Sequence, residues 1–198
     1  MKASKKQKKA RVFISLNLSA AAQKEIQRLT EKLHKFHWPV RWEKTEKVHL
    51  TLAFIGNLPV SKLVHLQSAV EKGSVGMKPF EITFKGLGSF PDFINPRIVW
   101  MGLKGDLKSL AALQKSILGE LEKAGFRFDE KPFVPHMTIG RVKKGISKGA
   151  LRDLGKKISK MRKIDFQSRI LVESVAVMKS ELRRTGSVHT RLAEIKLQ

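Results

Sequence analysis

Two histidines, each followed two positions later by a threonine, are the residues of this chain whose types and spacing can do chemistry. His49-Leu50-Thr51-Leu52 recurs as His136-Met137-Thr138-Ile139, 87 positions further on. The composition predicts roughly 0.2 chance matches to His-x-Thr, so a matched pair in apolar surroundings is a signal rather than an accident. Along a strand successive side chains point to opposite faces, so His49 and Thr51 share one face and Leu50, Leu52 and Phe54 the other. The same parity pairs His136 with Thr138 and turns Met137 and Ile139 inward, with Pro135 at the strand's start. Each copy offers an imidazole and a hydroxyl on one face, backed by core on the other.

Paired imidazoles suit acid–base cleavage of an ester; for a phosphodiester, one such substrate, cleavage without a metal requires an activated nucleophile, a proton for the leaving oxygen and relief of charge on the phosphoryl oxygens. Two imidazoles supply the first two, because an ordinary pKa of about 6.5 lets one act as base while the other acts as acid. Thr51 and Thr138 can donate hydroxyl hydrogen bonds to the non-bridging oxygens. Arg141 would add a fork of charge-assisted donors. Its offset of five from His136 puts it on the wrong face of an unbroken strand, a constraint that Gly140 could relax. No Asp or Glu falls within either motif, and no His-x-x-x-His or acidic cluster marks a metal site, so neither metal nor cofactor is expected. Lys143-Lys144-Gly145 lacks the spacing of a nucleoside-triphosphate loop. Which histidine is acid and which base is left open by the sequence.

The other candidates read as structural. His34 and His37 fall at a helix end, where a dipole interaction explains them. His65 sits on a helix of mixed character, and His189 in a late strand with no threonine two positions on. Trp42, Trp100 and Phe133 could stack on a base but are read as core, as is Phe54 by parity.

These motifs need a scaffold, and the pattern predicts one. A strand over residues 11–18 feeds Ser19, an N-cap for a helix to about residue 36. Residues 40–42 read as a short strand before the first motif. A second helix ends by Gly73; strands follow over residues 80–87 and 97–103. A third helix, capped by Asp106 and closed by Gly125, carries the stripe Leu107, Leu110, Leu113, Ile117, Leu118 and Leu121. After the second motif come a basic, loosely helical stretch over residues 147–160 and strands near residues 164–170, 171–179 and 188–197. The order strand, helix, strand, motif strand occurs twice, over residues 11–52 and again around residues 97–139, which suggests an internal pseudo-repeat.

The formal charge of +23, from 40 basic and 17 acidic residues, points to a polyanionic partner. Without an apolar run of roughly 18 to 20 residues, no membrane span is expected. The absence of cysteine excludes a disulfide framework and a thiol nucleophile. Residues 1–10 hold five lysines and no apolar period, and are expected to be a flexible basic tail, with residues 11–198 forming one domain. The alternation that follows reads as a strand rather than a secretory signal, so the cytoplasm is the expected location. Lysines of the tail and of residues 143–163 are candidates for nucleic-acid contacts.

The paired motifs resemble those of the two-histidine phosphoesterases, most closely their RNA 2′,3′-cyclic phosphodiesterase branch, also called the 2′-5′ RNA ligase family. The likeness is carried by His49-Leu50-Thr51-Leu52-Ala53-Phe54-Ile55-Gly56 and Pro135-His136-Met137-Thr138-Ile139-Gly140-Arg141. Arg11-Val12-Phe13-Ile14, Pro96-Arg97-Ile98-Val99-Trp100 and Leu171-Val172-Glu173-Ser174 support it. The chain departs from the family at His189, where a tyrosine is common. The resemblance implies an α+β fold of two pseudo-symmetric lobes, each an antiparallel sheet with outer helices, around a central cleft, with strands exchanged between lobes. It implies opening of a terminal 2′,3′-cyclic phosphate to a 2′-phosphomonoester, with reversible ATP-independent 2′-5′ ligation. In that scheme His49 gives a proton to the leaving oxygen, His136 takes one from water, and Thr51, Thr138 and Arg141 bind the phosphate. The partner would be RNA with a cyclic phosphate end, tRNA-like fragments among them, and the protein a monomer. Two alternatives stand beside it: a phosphodiesterase of a small cyclic nucleotide, and a non-catalytic RNA-binding module.

Overall fold

Ser19 starts the first helix in the way its side chain allows: its Oγ accepts from the Ala22 N–H at 3.2 Å. The computed structural model describes residues 8–16, 18–184 and 186–198. In chain order the elements are β1 (Lys9–Leu16), α1 (Ala20–His34), β2 (Val40–Trp42), β3 (Leu50–Pro59), α2 (Leu63–Ser74), β4 (Phe80–Phe90), β5 (Ile98–Gly105), α3 (Leu107–Lys123), β6 (His136–Val142), α4 (Lys148–Lys160), β7 (Asp165–Val172), β8 (Ser174–Arg183) and β9 (Gly186–Lys196). Asp106 caps α3 by accepting from the Ser109 N–H at 2.9 Å, and Leu110, Leu113, Ile117 and Leu121 are fully buried. Residues 147–160 make a regular helix, α4, capped by Ser147.

All strand pairs are antiparallel and form one sheet in the order β7-β4-β5-β6-β3-β1-β8-β9, with β2 added to β6. The fold is therefore α+β, as expected, and its two lobes meet where β3 touches β6 through a single pair, Leu50 with Met137. These are the second residues of the two motifs, so the pseudo-twofold axis passes between them. In an antiparallel pair the flanking positions fall opposite one another, which sets His49 across from Thr138 and Thr51 across from His136. The predicted strand exchange is present: β2 of the first half pairs with β6, while β8 and β9 return to complete the lobe of β1 and β3.

Several boundaries differ from expectation; β4, for one, runs on to Phe90 rather than stopping at residue 87. Residues 1–7 of the basic tail lie outside the described residues, but Lys9 and Ala10 pair with Pro59 and Leu58, so β1 begins before residue 11. The division between β7 and β8 falls at Glu173, after Val172 rather than after Ile170.

Candidate active site

His49 precedes β3 and His136 opens β6, and each ring is anchored in the same way. The Nδ1 of His49 lies 2.7 Å from the Lys47 carbonyl, and that of His136 lies 2.7 Å from the Val134 carbonyl. A carbonyl can only accept, so Nδ1 carries the proton in each ring and Nε2 is left to exchange one. Both rings line a single cleft of about 250 Å³ together with Thr51, Thr138 and Arg141. All five residues proposed from the sequence are thereby brought to one place.

Arg141 reaches the cleft through a bulge. Trp100 pairs with Thr138 but Val99 pairs with Gly140, so Ile139 is an extra residue in β6 and the parity beyond it is reversed. Gly140 permits this, since a Cβ there would lie 2.5 Å from Val40 Cγ1 and 3.0 Å from the Trp42 ring. Arg141 Nε then donates to Glu43 Oε1 at 3.2 Å.

The same device overturns the reading of Phe54 as core. Ser15 pairs with Thr51 and Ile14 with Ala53, so Leu52 is extra in β3 just as Ile139 is in β6. Phe54, at the same offset of five as Arg141, is half-buried and lines the cleft, with the Arg11 guanidinium 4.9 Å from its ring centroid. The doubt raised by spacing over Arg141 applied equally to Phe54, and the matched motifs were the signal that would have found it.

His189 is also corrected from structural residue to cleft residue. Its ring stands edge-on to His49 at 5.1 Å between centroids and 5.1 Å from Phe13, while Phe13 stacks on His49 at 4.7 Å. Three strand steps separate β9 from β3, roughly 14 Å on a flat sheet; the sheet curls enough to bring the rings into contact. The Nδ1 of His189 is buried without a hydrogen-bond partner. On the other side, Phe90 and Trp100 stand edge-on to His136 at 4.9 and 6.0 Å. Trp42 and Phe133 pack against the core, as expected, whereas Trp100, also read as core, lies instead against His136.

Burial pushes the His49 imidazole down to about 4; the Lys47 carbonyl opposes this, and the His189 and His136 rings add to it. Burial also lowers His136, against the pull of the Val134 carbonyl. His189 is lowered by burial and then by the Lys47 ammonium, with Glu43 opposing. Arg11, Lys47 and Arg141 make the cleft cationic, and Glu43 is the carboxylate that lines it. Among the described residues no three His, Cys, Asp or Glu side chains gather as a metal-holding group.

Paired imidazoles with free Nε2 atoms, two hydroxyls and a guanidinium around one cleft are suited to transferring protons about a bound phosphoryl group. A family model, the 2′-5′ RNA ligase superfamily, matches residues 13–184. The chain belongs to this superfamily. It is 31% identical over 189 residues to an RNA 2′,3′-cyclic phosphodiesterase of Methanothermobacter thermautotrophicus, covering 96% of this chain and 100% of the relative. It is also 31% identical to the protein of that name from Thermotoga maritima, over 95% of this chain and 96% of the relative. Among solved structures, E. coli LigT complexed with 3′-AMP superposes with a TM-score of 0.74 at 21% identity, over 96% of this chain and 99% of that one. That likeness supports the curled fold of the superfamily.

Proposed function

We propose that this member of the superfamily is an RNA 2′,3′-cyclic phosphodiesterase that works by metal-free acid–base catalysis. The observation that carries the proposal is the identical anchoring of two imidazoles, each held through Nδ1 to the carbonyl two residues back, beside both threonines in one cleft. The names of its relatives favour the same substrate. Water attacks the phosphorus of the cyclic ester while His136 Nε2 takes its proton. The bond from phosphorus to the 3′-oxygen breaks, and protonated His49 supplies the proton that the leaving oxygen needs. The product is a 2′-phosphomonoester. Thr51, Thr138 and Arg141 donate to the non-bridging oxygens as charge builds on them. A 5′-hydroxyl in place of water gives a 2′-5′ linkage by the same proton transfers, with no nucleotide cofactor.

The test is turnover of a nucleoside 2′,3′-cyclic phosphate in excess EDTA, with the product identified. Release of the 2′-phosphomonoester is expected. Loss of activity in chelator with rescue by a divalent ion overturns the metal-free mechanism, a 3′-phosphate product overturns the assignment of the leaving oxygen, and no turnover by the folded protein favours the RNA-binding reading.

A further inference from the structure

Ten basic residues and one acidic residue fall between positions 141 and 163, so this stretch holds a quarter of the chain's 40 cations. The fold arranges part of that charge in a line. On α4, Arg152, Lys156 and Lys160 are all exposed, and a spacing of four residues stacks them along one side about 6 Å apart. The acidic residue, Asp153, stands 3.8 Å from Lys156.

A built groove of about 580 Å³ runs beside this line, between α4 and the loop that joins β4 to β5. The loop is seated on the helix at Gly155, where any side chain would collide with the Phe93 carbonyl. Asp92 fixes its shape by accepting from the Ile94 and Asn95 N–H groups at 2.8 and 2.7 Å. Thus held, Ile94 is 67% exposed at the groove's edge.

The ends of the loop lie at the cleft. Phe90 is edge-on to His136, the Arg97 N–H donates to the Phe90 carbonyl at 2.8 Å, and Ile98 pairs with Arg141. Four residues of chain from Phe90 to Ile94 span at most about 14 Å. A strand of RNA, which presents a negative phosphate at every nucleotide, matches the line of cations in sign. An amphipathic helix that binds membranes needs a free apolar face, whereas α4 spends Leu154 and Ile158 on the core.

We propose that Arg152, Lys156 and Lys160, with the Ile94 loop beside them, form a track for the RNA backbone leading away from the cyclic phosphate. The inference rests on the RNA reading of the cleft. A chain with one cyclic phosphate in the cleft reaches this track with phosphates further from its end, so long substrates gain affinity that a mononucleotide cannot.

The experiment compares the wild type with R152Q/K156Q/K160Q. Affinity for an oligoribonucleotide ending in a cyclic phosphate is plotted against salt, beside kcat/KM for a cyclic mononucleotide in the same buffers. Three lost phosphate contacts flatten the log–log slope by about 2, so between 50 and 200 mM salt the wild type loses roughly 20-fold more affinity than the variant. Mononucleotide turnover stays unchanged, and the charge-preserving R152K/K156R/K160R restores the slope. An unchanged slope with intact mononucleotide turnover overturns the track alone. Wild-type protein that turns over neither substrate overturns the catalytic reading, while the slope still reports on the track. Loss of binding to anionic vesicles with RNA affinity unaltered makes the patch a membrane contact and also overturns it.

Discussion

His49 and His136 share an anchoring geometry but not a degree of burial, and the difference sets where a two-imidazole reaction runs. As proton donor in the free enzyme, His49 must be protonated, so with a pKa of about 4 its limb of kcat/KM falls as pH rises past that value. His136 as acceptor must be neutral, so its limb falls as pH drops below its own lowered pKa. The bell therefore peaks below pH 6.5, and its shape is the same if the roles are exchanged, since the limbs belong to the pair. A bound phosphate anion faces both rings and favours their charged forms, so the kcat bell lies at higher pH than that of kcat/KM. A kcat/KM maximum above pH 7 would contradict this account. His49→Ala and His136→Ala should each lower hydrolysis by on the order of 10²-fold or more with the fold intact by circular dichroism. Thr51→Val and Thr138→Val should cost less, on the order of 10-fold, since each removes one hydrogen-bond donor and keeps the shape. His189→Phe preserves an edge-on ring but removes a neighbour that lowers His49, so the His49 limb should move to higher pH. A pH profile identical to wild type would leave His189 as packing alone.

At the scale of the element, a bulge follows the threonine in each motif, and it decides which side chain at the fifth position enters the cleft. Gly140 is where this device has no slack, because β2 lies directly over it. Gly140→Ala should destabilise the protein by about 1–3 kcal/mol, as overpacking does, and raise KM through a displaced Arg141. Thermal denaturation checks the first and saturation kinetics the second; an unchanged melting temperature would show that β2 yields instead. Glu43, which follows β2 and holds Arg141, ties the same two strands from the cleft side.

The whole molecule is divided by its cleft but not by its chain. The β2 strand pairs with β6, α1 packs against β7, and β8 and β9 complete the sheet begun by β1. Neither half of the sequence contains a complete lobe. Cutting the chain at Gly76, in the turn between α2 and β4, should thus give two pieces that are unfolded alone and regain helical signal and turnover when mixed. Cooperative melting of either piece by itself would show that the lobes are independent.

Elements and motif faces were legible in the sequence because they depend on local period and capping: α1 behind Ser19, α3 between Asp106 and Gly125, and Met137 buried behind the second histidine follow from side chains a few positions apart. The two matched motifs, together with the family they resemble, were sufficient to place His49, Thr51, His136 and Thr138 as a set. Alternation misassigned Phe54 and left Arg141 open, while the lack of a threonine two positions on misassigned His189. Phe54 and Arg141 turn on bulges, which insert one residue against a partner strand that local alternation does not contain. His189 turns on the curl of a sheet that carries β9 back toward β3, and that curvature is a property of all the strands packed together.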